Sequence, residues 1–294
     1  MHLSAVNKLA LGTAQFGLDY GINNERGKIP EGEAFSILDH ALRHGINFID
    51  TAFSYGDSEA VIGKFISKSA ASFKVVSKAQ GETPDDVTES FNKSLERLHA
   101  KKLYGSLLHS FQDYSNDTSV WEALVGLKAD GKVQKIGFSL YYPSELDTLL
   151  ERKVKFDIVQ IPYNIFDQRF SGHFALLKKN KVELHARSVF LQGLFFKDPG
   201  ALSGSFTAIK GKLTKLSDLS TALGIPKEAL CLIFAVSNPY IDKVIIGVDS
   251  LKHLEKNIEA LKYEKRVHDI LGELLRLREE DEAVIVPSQW NAKR

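Results

Sequence analysis

Four side chains with complementary chemistry each follow a short apolar run in this sequence. Asp50 and Tyr55 lie in FIDTAFSYGDSE, Lys78 lies in KVVSKAQ and His109 lies in LYGSLLHSF. Together, a carboxylate, a phenol, an ammonium and an imidazole are able to polarise a carbonyl group and give its oxygen a proton. If the four meet in space, the pattern predicts reductase chemistry.

Elementary acid-base chemistry assigns a role to each group. A phenol titrates near pH ~10, so Tyr55 is protonated at neutral pH and able to protonate a developing alkoxide. Lys78 would stabilise the phenolate, and Asp50 would supply the counter-charge that a buried ammonium needs. His109 would hydrogen-bond the carbonyl oxygen. Each residue taken alone also has a structural interpretation, so the hypothesis depends on their joint placement.

Strand-like runs alternate with helical patterns along the chain, and the first helices are expected after Pro30 and near Pro84. The eight strand-like runs are KLALGT, INFID, FKVVS, LYGSLLH, VQKIGFS, FDIVQI, VELHARS and KVIIGV. Continuous apolar strands are typical of parallel sheets covered by helices, so the fold class is α/β and a (β/α)8 TIM barrel is predicted. An open doubly wound sheet is the alternative, but no GxGxxG follows the first strand.

Two segments exceed the minimal barrel. Lys197 to Leu219 is expected to be an insertion after the seventh strand, and Val267 to Leu277 an extra carboxy-terminal helix. Ser58 is expected to cap the helix after the second strand. With no linker or repeat, residues 1–294 are predicted to form a single domain. The carboxyl ends of barrel strands meet at one mouth, which would make the four chemical residues neighbours.

Composition narrows the function classes. The 294 residues are 44% hydrophobic, and 38 basic against 37 acidic residues give a net charge of +1. This balance argues against nucleic acid or a membrane surface as the main partner. Cys231 is the only cysteine, so no disulfide and no metal site are expected. No signal-peptide pattern and no apolar run near ~20 residues is present, so we expect a soluble, cytoplasmic protein.

The ordered set of motifs resembles the aldo-keto reductase family over essentially the whole chain. LALGTAQFG resembles the family's first strand, FIDTAFSYGDSEAVIG its Asp and Tyr signature, and VVSKA its Lys strand. SLERLHAKKLYGSLLHS resembles the elements that lead to its His, and WEALVGLKADGKVQKIGFS its fifth strand unit. The resemblance implies a (β/α)8 barrel in which Asp50, Tyr55, Lys78 and His109 form the catalytic tetrad.

The resemblance also implies a nicotinamide dinucleotide bound across the barrel mouth without a Rossmann domain. RSVFLQGLF resembles the loop that covers the nicotinamide and pyrophosphate, and IIGVDSLKHLEKN the segment that receives the adenosine phosphate at a helix amino terminus. The implied cofactor-binding residues are Gly12, Thr13, Ala14, Ser139, Gln160, Arg187, Ser188, Phe190, Gln192, Gly193, Gly247, Val248, Asp249, His253 and Asn257. NADPH is the expected cofactor; Asp249, suited to a ribose hydroxyl, leaves NADH as the alternative.

Four positions depart from the family pattern. Leu140 stands where many members carry Asn, and Arg187 where many carry a Tyr that stacks on the nicotinamide. Gly247 and His253 occupy the positions of the Lys and Arg that often bind the 2′-phosphate. We therefore expect altered nicotinamide packing, with Lys252 and His253 as the remaining candidates for a phosphate contact.

The resulting expectation is a reductase that converts an aldehyde or ketone, including sugar-derived ones, to an alcohol. One alternative is a non-catalytic dinucleotide-binding regulatory barrel, because the resemblance extends to channel-associated subunits. Another is an isomerase or aldolase in which Lys78 forms a Schiff base. The small-molecule substrate would contact Phe16, Tyr20, Phe53, Tyr141 and the insertion, a mixture that suits sugars and small aldehydes equally. The oligomeric state has no signature in the sequence.

Overall fold

Eight parallel strands close into a barrel in this computed structural model, which describes residues 3–22, 24–69 and 72–293. The strands are β1 Leu9–Gly12, β2 Phe48–Asp50, β3 Lys74–Ala79, β4 Leu103–Leu108, β5 Val133–Ser139, β6 Ile158–Pro162, β7 Glu183–Arg187 and β8 Lys243–Gly247. Each pairs with its sequence neighbours, and β1 also pairs with β8, so that Gly12 lies opposite both Asp50 and Gly247. The predicted barrel is confirmed, and the open sheet is wrong.

Helices follow the strands and cover the outside of the barrel. The α-helices are Leu3–Val6, Ala14–Gly17, Glu31–Arg43, Ser58–Ser69, Pro84–Arg97, Phe111–Asn116, Ser119–Ala129, Pro143–Glu151, Phe174–Lys179, Lys210–Leu223, Lys227–Val236, Leu251–Ala260, Glu264–His268, Leu271–Leu275 and Glu282–Ile285. Short 3-10 helices are Arg169–His173, Leu191–Phe196, Pro199–Ala201, Gly204–Ile209, Leu261–Tyr263 and Pro287–Lys293. Among the described residues, no single helix has the length and apolar composition to cross a membrane. The helical segments Gly204–Leu223 and Lys227–Val236 have that length and composition only when taken together, and a bend of 100° separates them.

The insertion after β7 is more ordered than the sequence predicts. Its first part contains two short 3-10 helices, but from Lys210 onward the chain forms a regular α-helix. One face of this helix is buried and carries leucines at three-residue spacing: Leu213, Leu216 and Leu219. The apolar packing of this face explains why the segment is helical. Gly224 ends it with a left-handed φ of 58°.

Two further expectations need correction. The stretch from Val267 to Leu277 is divided, because Ile270 leaves the helical conformation with a φ of −114° and separates two short helices. Ser58 does not cap its helix; it is the first helical residue, and its hydroxyl donates to the Thr13 carbonyl oxygen at 2.9 Å. That bond ties the loop after β2 to the loop after β1.

The interior of the barrel is filled by a small apolar cluster of its own, distinct from the core between sheet and helices. Its buried members are Ala10, Phe48, Val76, Leu107, Ile158 and Ile245. Strand alternation places Asp50 and Lys78 two residues beyond Phe48 and Val76, on the same inward face but nearer the carboxyl ends. The inner cluster therefore forms a floor below the polar residues at the mouth.

Candidate active site

The carboxyl ends of β2, β3 and β4 bring the four predicted residues together. Asp50 is the last residue of β2, Lys78 is the penultimate residue of β3, and His109 directly follows β4. Tyr55 lies on the loop after β2, where Gly17 lets the backbone approach closely: a Cβ on Gly17 would lie 1.8 Å from the Tyr55 carbonyl oxygen. The close contact between these two loops fixes the position of Tyr55 over the mouth.

Lys78 lies at the centre of the group. Its ammonium donates to Asp50 Oδ1 at 2.7 Å and to the Thr51 carbonyl oxygen at 2.9 Å, and it lies 3.5 Å from the Tyr55 hydroxyl. The side chains of Lys78 and Asp50 are 1% and 5% exposed, so this ion pair is desolvated. Gln160 Nε2 donates to the other Asp50 oxygen at 2.6 Å. The carboxylate is therefore held on both sides and fixes the amine beside the phenol.

The electrostatics of the pair favour a charged amine beside a neutral phenol. Burial alone would lower the pKa of Lys78, but the Asp50 carboxylate and the Tyr55 hydroxyl raise it above its ordinary value. Burial raises the pKa of Tyr55, and the Lys78 ammonium opposes that rise. At neutral pH the site therefore holds a protonated phenol next to a permanent positive charge, which is the arrangement that proton donation requires.

His109 completes the group as a neutral imidazole. Its ring lies edge-on to the Tyr55 ring with centroids 5.8 Å apart, and its Nδ1 is 3.0 Å from the Ser54 hydroxyl. Burial is the main cause that lowers the pKa of His109 to about 3, and the positive charges of Lys78 and Arg187 contribute to the same shift. A neutral imidazole retains one N–H that is able to donate to a substrate oxygen.

This electrostatic environment predicts that His109 does not titrate in the physiological range. An ordinary histidine changes charge near pH ~6.5, whereas the pKa of about 3 keeps His109 neutral throughout. Between these two values the unfolded chain binds the proton more readily, so this residue makes the protein less stable as the pH falls from 6.5 towards 3. NMR titration of the imidazole carbon-bound protons from pH 5 to 8 should leave the His109 signals unmoved, and a midpoint near 6.5 would contradict the placement.

A cavity of ≈ 410 Å³ opens above the four residues and extends across the barrel mouth. Asp50, Tyr55, Lys78 and His109 line one end. Of the predicted cofactor contacts, those on its wall are Gly12, Thr13, Ala14, Ser139, Gln160, Arg187, Ser188, Phe190, Gln192, Gly193, Gly247, Asp249, His253 and Asn257. Residues at the carboxyl ends of all eight strands thus share one cleft, as the sequence predicts.

Some sequence predictions do not reach the cavity. Val248 is 1% exposed and points into the core behind β8, the opposite side from Gly247 and Asp249. Of the proposed substrate contacts, Tyr20 and Tyr141 line the cavity, but Phe16 is buried in the core and Phe53 packs against the Arg97 guanidinium, 4.5 Å from its ring centre. Lys252 is also absent from the wall described here.

Other wall residues were not predicted. Lys256 lies one helical turn after His253 and lines the cavity in place of Lys252, a shift that the three-residue spacing of a helix face would have indicated. Gln15 follows β1 and reaches Asp249. The remaining unpredicted members are Gly21, Asn24, Val189, Phe196, Glu228 and Ile245.

The loop after β7 has a strained backbone where it passes the cavity. Ser188, Leu191 and Gln192 have left-handed φ values of 57°, 46° and 50°, which residues other than glycine rarely adopt. Hydrogen bonds hold this shape: Asn164 Nδ2 donates to the Ser188 carbonyl oxygen at 3.0 Å, and the Ile22 amide donates to the Gln192 carbonyl oxygen at 3.2 Å. Strain maintained in this way is characteristic of a binding loop.

The far end of the cavity carries both signs of charge at the start of helix Leu251–Ala260. Asp249 accepts a bond from Gln15 Nε2 at 3.3 Å, its carbonyl oxygen accepts one from Arg26, and its carboxylate lies 3.7 Å from His253 Nδ1. The helix-start amides of Leu251 and His253 are engaged by Glu33 and Ser250, so an anion here would depend on the basic side chains, while the Asp249 carboxylate suits a hydroxyl donor.

Comparison with known proteins adds an independent finding. The sequence profile described as the aldo/keto reductase family matches residues 8–276. An uncharacterised oxidoreductase, YqkF of Bacillus subtilis, is 25% identical over 87% of this chain and 91% of its own length. A putative voltage-gated potassium channel subunit beta of Schizosaccharomyces pombe is 24% identical over 81% of both chains. Among solved structures, aldo-keto reductase AKR11C1 from Bacillus halodurans, in its holo form, superimposes with a TM-score of 0.72 at 20% identity over 94% of both chains.

Proposed function

The chain belongs to the aldo/keto reductase family of oxidoreductases, and on that premise we propose that it reduces an aldehyde or ketone to an alcohol with a nicotinamide dinucleotide. One observation carries the proposal: Lys78 lies between the Asp50 carboxylate and the Tyr55 hydroxyl at the floor of the cavity, beside a neutral His109. These are the groups that a carbonyl oxygen needs around it as it gains negative charge.

Each of the four residues has a separate role in the proposed reaction. His109 and Tyr55 orient the carbonyl oxygen, and the Tyr55 hydroxyl gives it a proton while the carbon receives a hydride. The Tyr55 O–H bond breaks, the new alcohol O–H bond forms, and the electron pair left on Tyr55 is stabilised by the Lys78 ammonium until water returns a proton. Asp50 keeps that ammonium in place through its 2.7 Å contact.

The hydrogen-bond donors and acceptors on the cavity wall suit a nicotinamide dinucleotide. When bound, the dinucleotide supplies the hydride. Ser139 and Gln160 are nearly fully buried polar residues on the wall near the tetrad, suited to a carboxamide. At the other end the Gln15 Oε1 atom is a buried acceptor without a hydrogen-bond partner, and a ribose or adenine donor would satisfy it.

The chemistry of the site bears on both alternative functions. The raised pKa of Lys78, which results from Asp50 and Tyr55 despite burial, keeps the amine protonated and disfavours a Schiff base. A regulatory barrel would bind the dinucleotide but would not need the complete proton-donating group. We also propose a cytoplasmic location, since a chain with Cys231 as its one cysteine forms no internal disulfide.

A direct assay separates a reductase from a regulatory barrel. Oxidation of NADPH and NADH is followed at 340 nm with a panel of aldehydes, ketones and sugars, and dinucleotide binding is measured separately by fluorescence. The proposal expects carbonyl-dependent oxidation. Dinucleotide binding without turnover on any carbonyl compound would favour the regulatory barrel instead.

For the cofactor we propose NADPH, with Lys256 as the cation that receives the 2′-phosphate. Lys256 and His253 both line the adenosine end of the cavity, and neither lies deep inside. Lys256→Gln is expected to weaken NADPH binding about 3- to 10-fold, as for a partly screened charge contact, and to change NADH binding less than about 2-fold. Lys252→Gln is the matched control, since Lys252 is on the same helix but off the cavity wall.

The competing arrangement has Asp249 accept hydrogen bonds from the ribose hydroxyls. In that case wild-type protein would bind NADH more tightly than NADPH, and Lys256→Gln would leave their ratio unchanged. Dissociation constants of the two dinucleotides for wild type and both Lys variants therefore decide between the two cofactors.

A further inference from the structure

Arg187 is a cation on the cavity wall that no acidic side chain among the described residues neutralises. Its Nη2 donates to the Leu140 carbonyl oxygen at 2.9 Å and its Nη1 lies 3.2 Å from the Ser188 hydroxyl. Both acceptors are neutral, and no carboxylate in the described part of the chain forms an ion pair with this guanidinium. Since a guanidinium has five N–H donors, these contacts leave others available.

The side chain lies at the catalytic end of the cavity. The guanidinium carbon is 4.1 Å from the centre of the Tyr141 ring, a cation–π contact that fixes its plane. Tyr141 lines the cavity and also a shallow groove that it shares with His109 and Ser54. The charge of Arg187 contributes to the pKa shifts of both His109 and Tyr55. Arg187 is therefore within electrostatic reach of the position where the carbonyl group would react.

Positive side chains outnumber negative ones at the catalytic end of the cavity, where Arg187 lies. Of the acidic residues on the described cavity wall, Asp50 is engaged by Lys78 at 2.7 Å. Asp249 lies at the adenosine end, against an imidazole. Glu228 also lines the wall, from the first turn of helix Lys227–Val236, and it forms no ion pair with Arg187 in the described part of the chain. The catalytic end thus carries one excess positive charge, and an anion entering it would form hydrogen bonds to a partly desolvated guanidinium.

We propose that Arg187 binds an anionic group of the substrate, so that the enzyme acts on carbonyl compounds that carry a carboxylate or a comparable oxyanion. This inference rests on the proposed reductase function. The planar fork of the guanidinium, held by Tyr141 and Leu140, is suited to the two oxygens of a carboxylate. The reaction remains the one described above: a carbonyl carbon gains a hydride, its oxygen gains the Tyr55 proton, and the anionic group is unchanged.

The test compares two probes that differ in one charge, 4-carboxybenzaldehyde and 4-formylbenzamide. They are assayed with wild type, Arg187→Met and Arg187→Lys. Arg152→Met is the matched control, because Arg152 also lies over a tyrosine ring, that of Tyr114, but outside the cavity. Circular dichroism melting of each variant establishes that it folds.

Wild type is expected to prefer the carboxylate probe in kcat/KM. Arg187→Met should lower the ratio of kcat/KM for the carboxylate probe to kcat/KM for the amide probe about 10- to 100-fold, the range for a charge-assisted contact; a change common to both probes, acting through Tyr55 and His109, cancels in this ratio. Arg187→Lys should recover part of the loss, and Arg152→Met should resemble wild type. Equal losses for both probes would overturn the proposal.

Binding measurements separate the remaining outcomes. With dinucleotide present, the carboxylate probe should bind wild type more tightly than Arg187→Met, and this comparison requires no turnover. If neither probe is reduced but this binding difference persists, the reductase function fails and the anion site stands. If Arg187→Met instead weakens the dinucleotide and leaves the ratio of the two probes unchanged, Arg187 is a cofactor contact and the anion site is refuted.

Discussion

Replacing Tyr55 by phenylalanine is expected to lower kcat for carbonyl reduction by about 10²- to 10⁴-fold, the range that a positioned general acid contributes. The substitution removes one oxygen atom, which lies 3.5 Å from the Lys78 ammonium, and leaves the ring that lies 5.0 Å from the same ammonium. Because the ring keeps its contacts, the loss should appear in the chemical step. Dinucleotide affinity should stay within about 3-fold of wild type.

The matched control removes a phenol hydroxyl from the other end of the barrel. Tyr104 donates to Glu183 at 2.7 Å, and it lies outside the cavity. Tyr104→Phe therefore tests the general effect of losing a hydrogen-bonded phenol from the structure, and its turnover should remain close to that of wild type. If Tyr55→Phe also retains most of its turnover, the proton comes from another donor and the assigned role of Tyr55 is wrong.

Three members of the tetrad were predictable because their positions depend on topology alone. Asp50, Lys78 and His109 each lie at or directly after the carboxyl end of a strand, and in a closed parallel barrel every strand ends at the same mouth. Alternation along the strand then decides which side chains face inward. The strand periodicity and count in the sequence were sufficient for both steps, and the structure places the three side chains at one end of one cavity.

The errors lie where position depends on loop conformation. Phe16 and Phe53 are near the right strand ends, but each is on a loop that turns its side chain away from the cavity. Ser58 was expected as a cap, and the hydroxyl instead bonds to the loop after β1. Such choices follow from contacts between loops that are distant in sequence, and no local pattern encodes them.

The charge balance of the cavity was also beyond the sequence. Arg187 is visible as a departure from the family pattern, but its significance depends on which acidic groups lie near it. Only the three-dimensional arrangement gives this guanidinium two neutral acceptors. The proposed substrate class therefore depends on where the charges lie in space, which amino-acid composition does not specify.

The other large effect concerns the buried ion pair. Lys78→Met is expected to lower the free energy of unfolding at pH 7 by about 3–5 kcal/mol, because it leaves a buried carboxylate without its counter-charge. Asp50 would retain only the neutral Gln160 amide, at 2.6 Å. Urea unfolding of the variant and of wild type at pH 7 measures this difference directly.

A double variant separates stability from catalysis. Asp50→Asn with Lys78→Met removes both charges and keeps an amide oxygen in reach of Gln160, so most of the lost stability should return. Turnover should not return, because the phenolate left on Tyr55 would still lack the ammonium that stabilises it. Recovery of both properties would mean that Lys78 serves only to neutralise Asp50. Full stability of the single variant would instead mean that the pair is solvated, in conflict with its 1% and 5% exposed side chains.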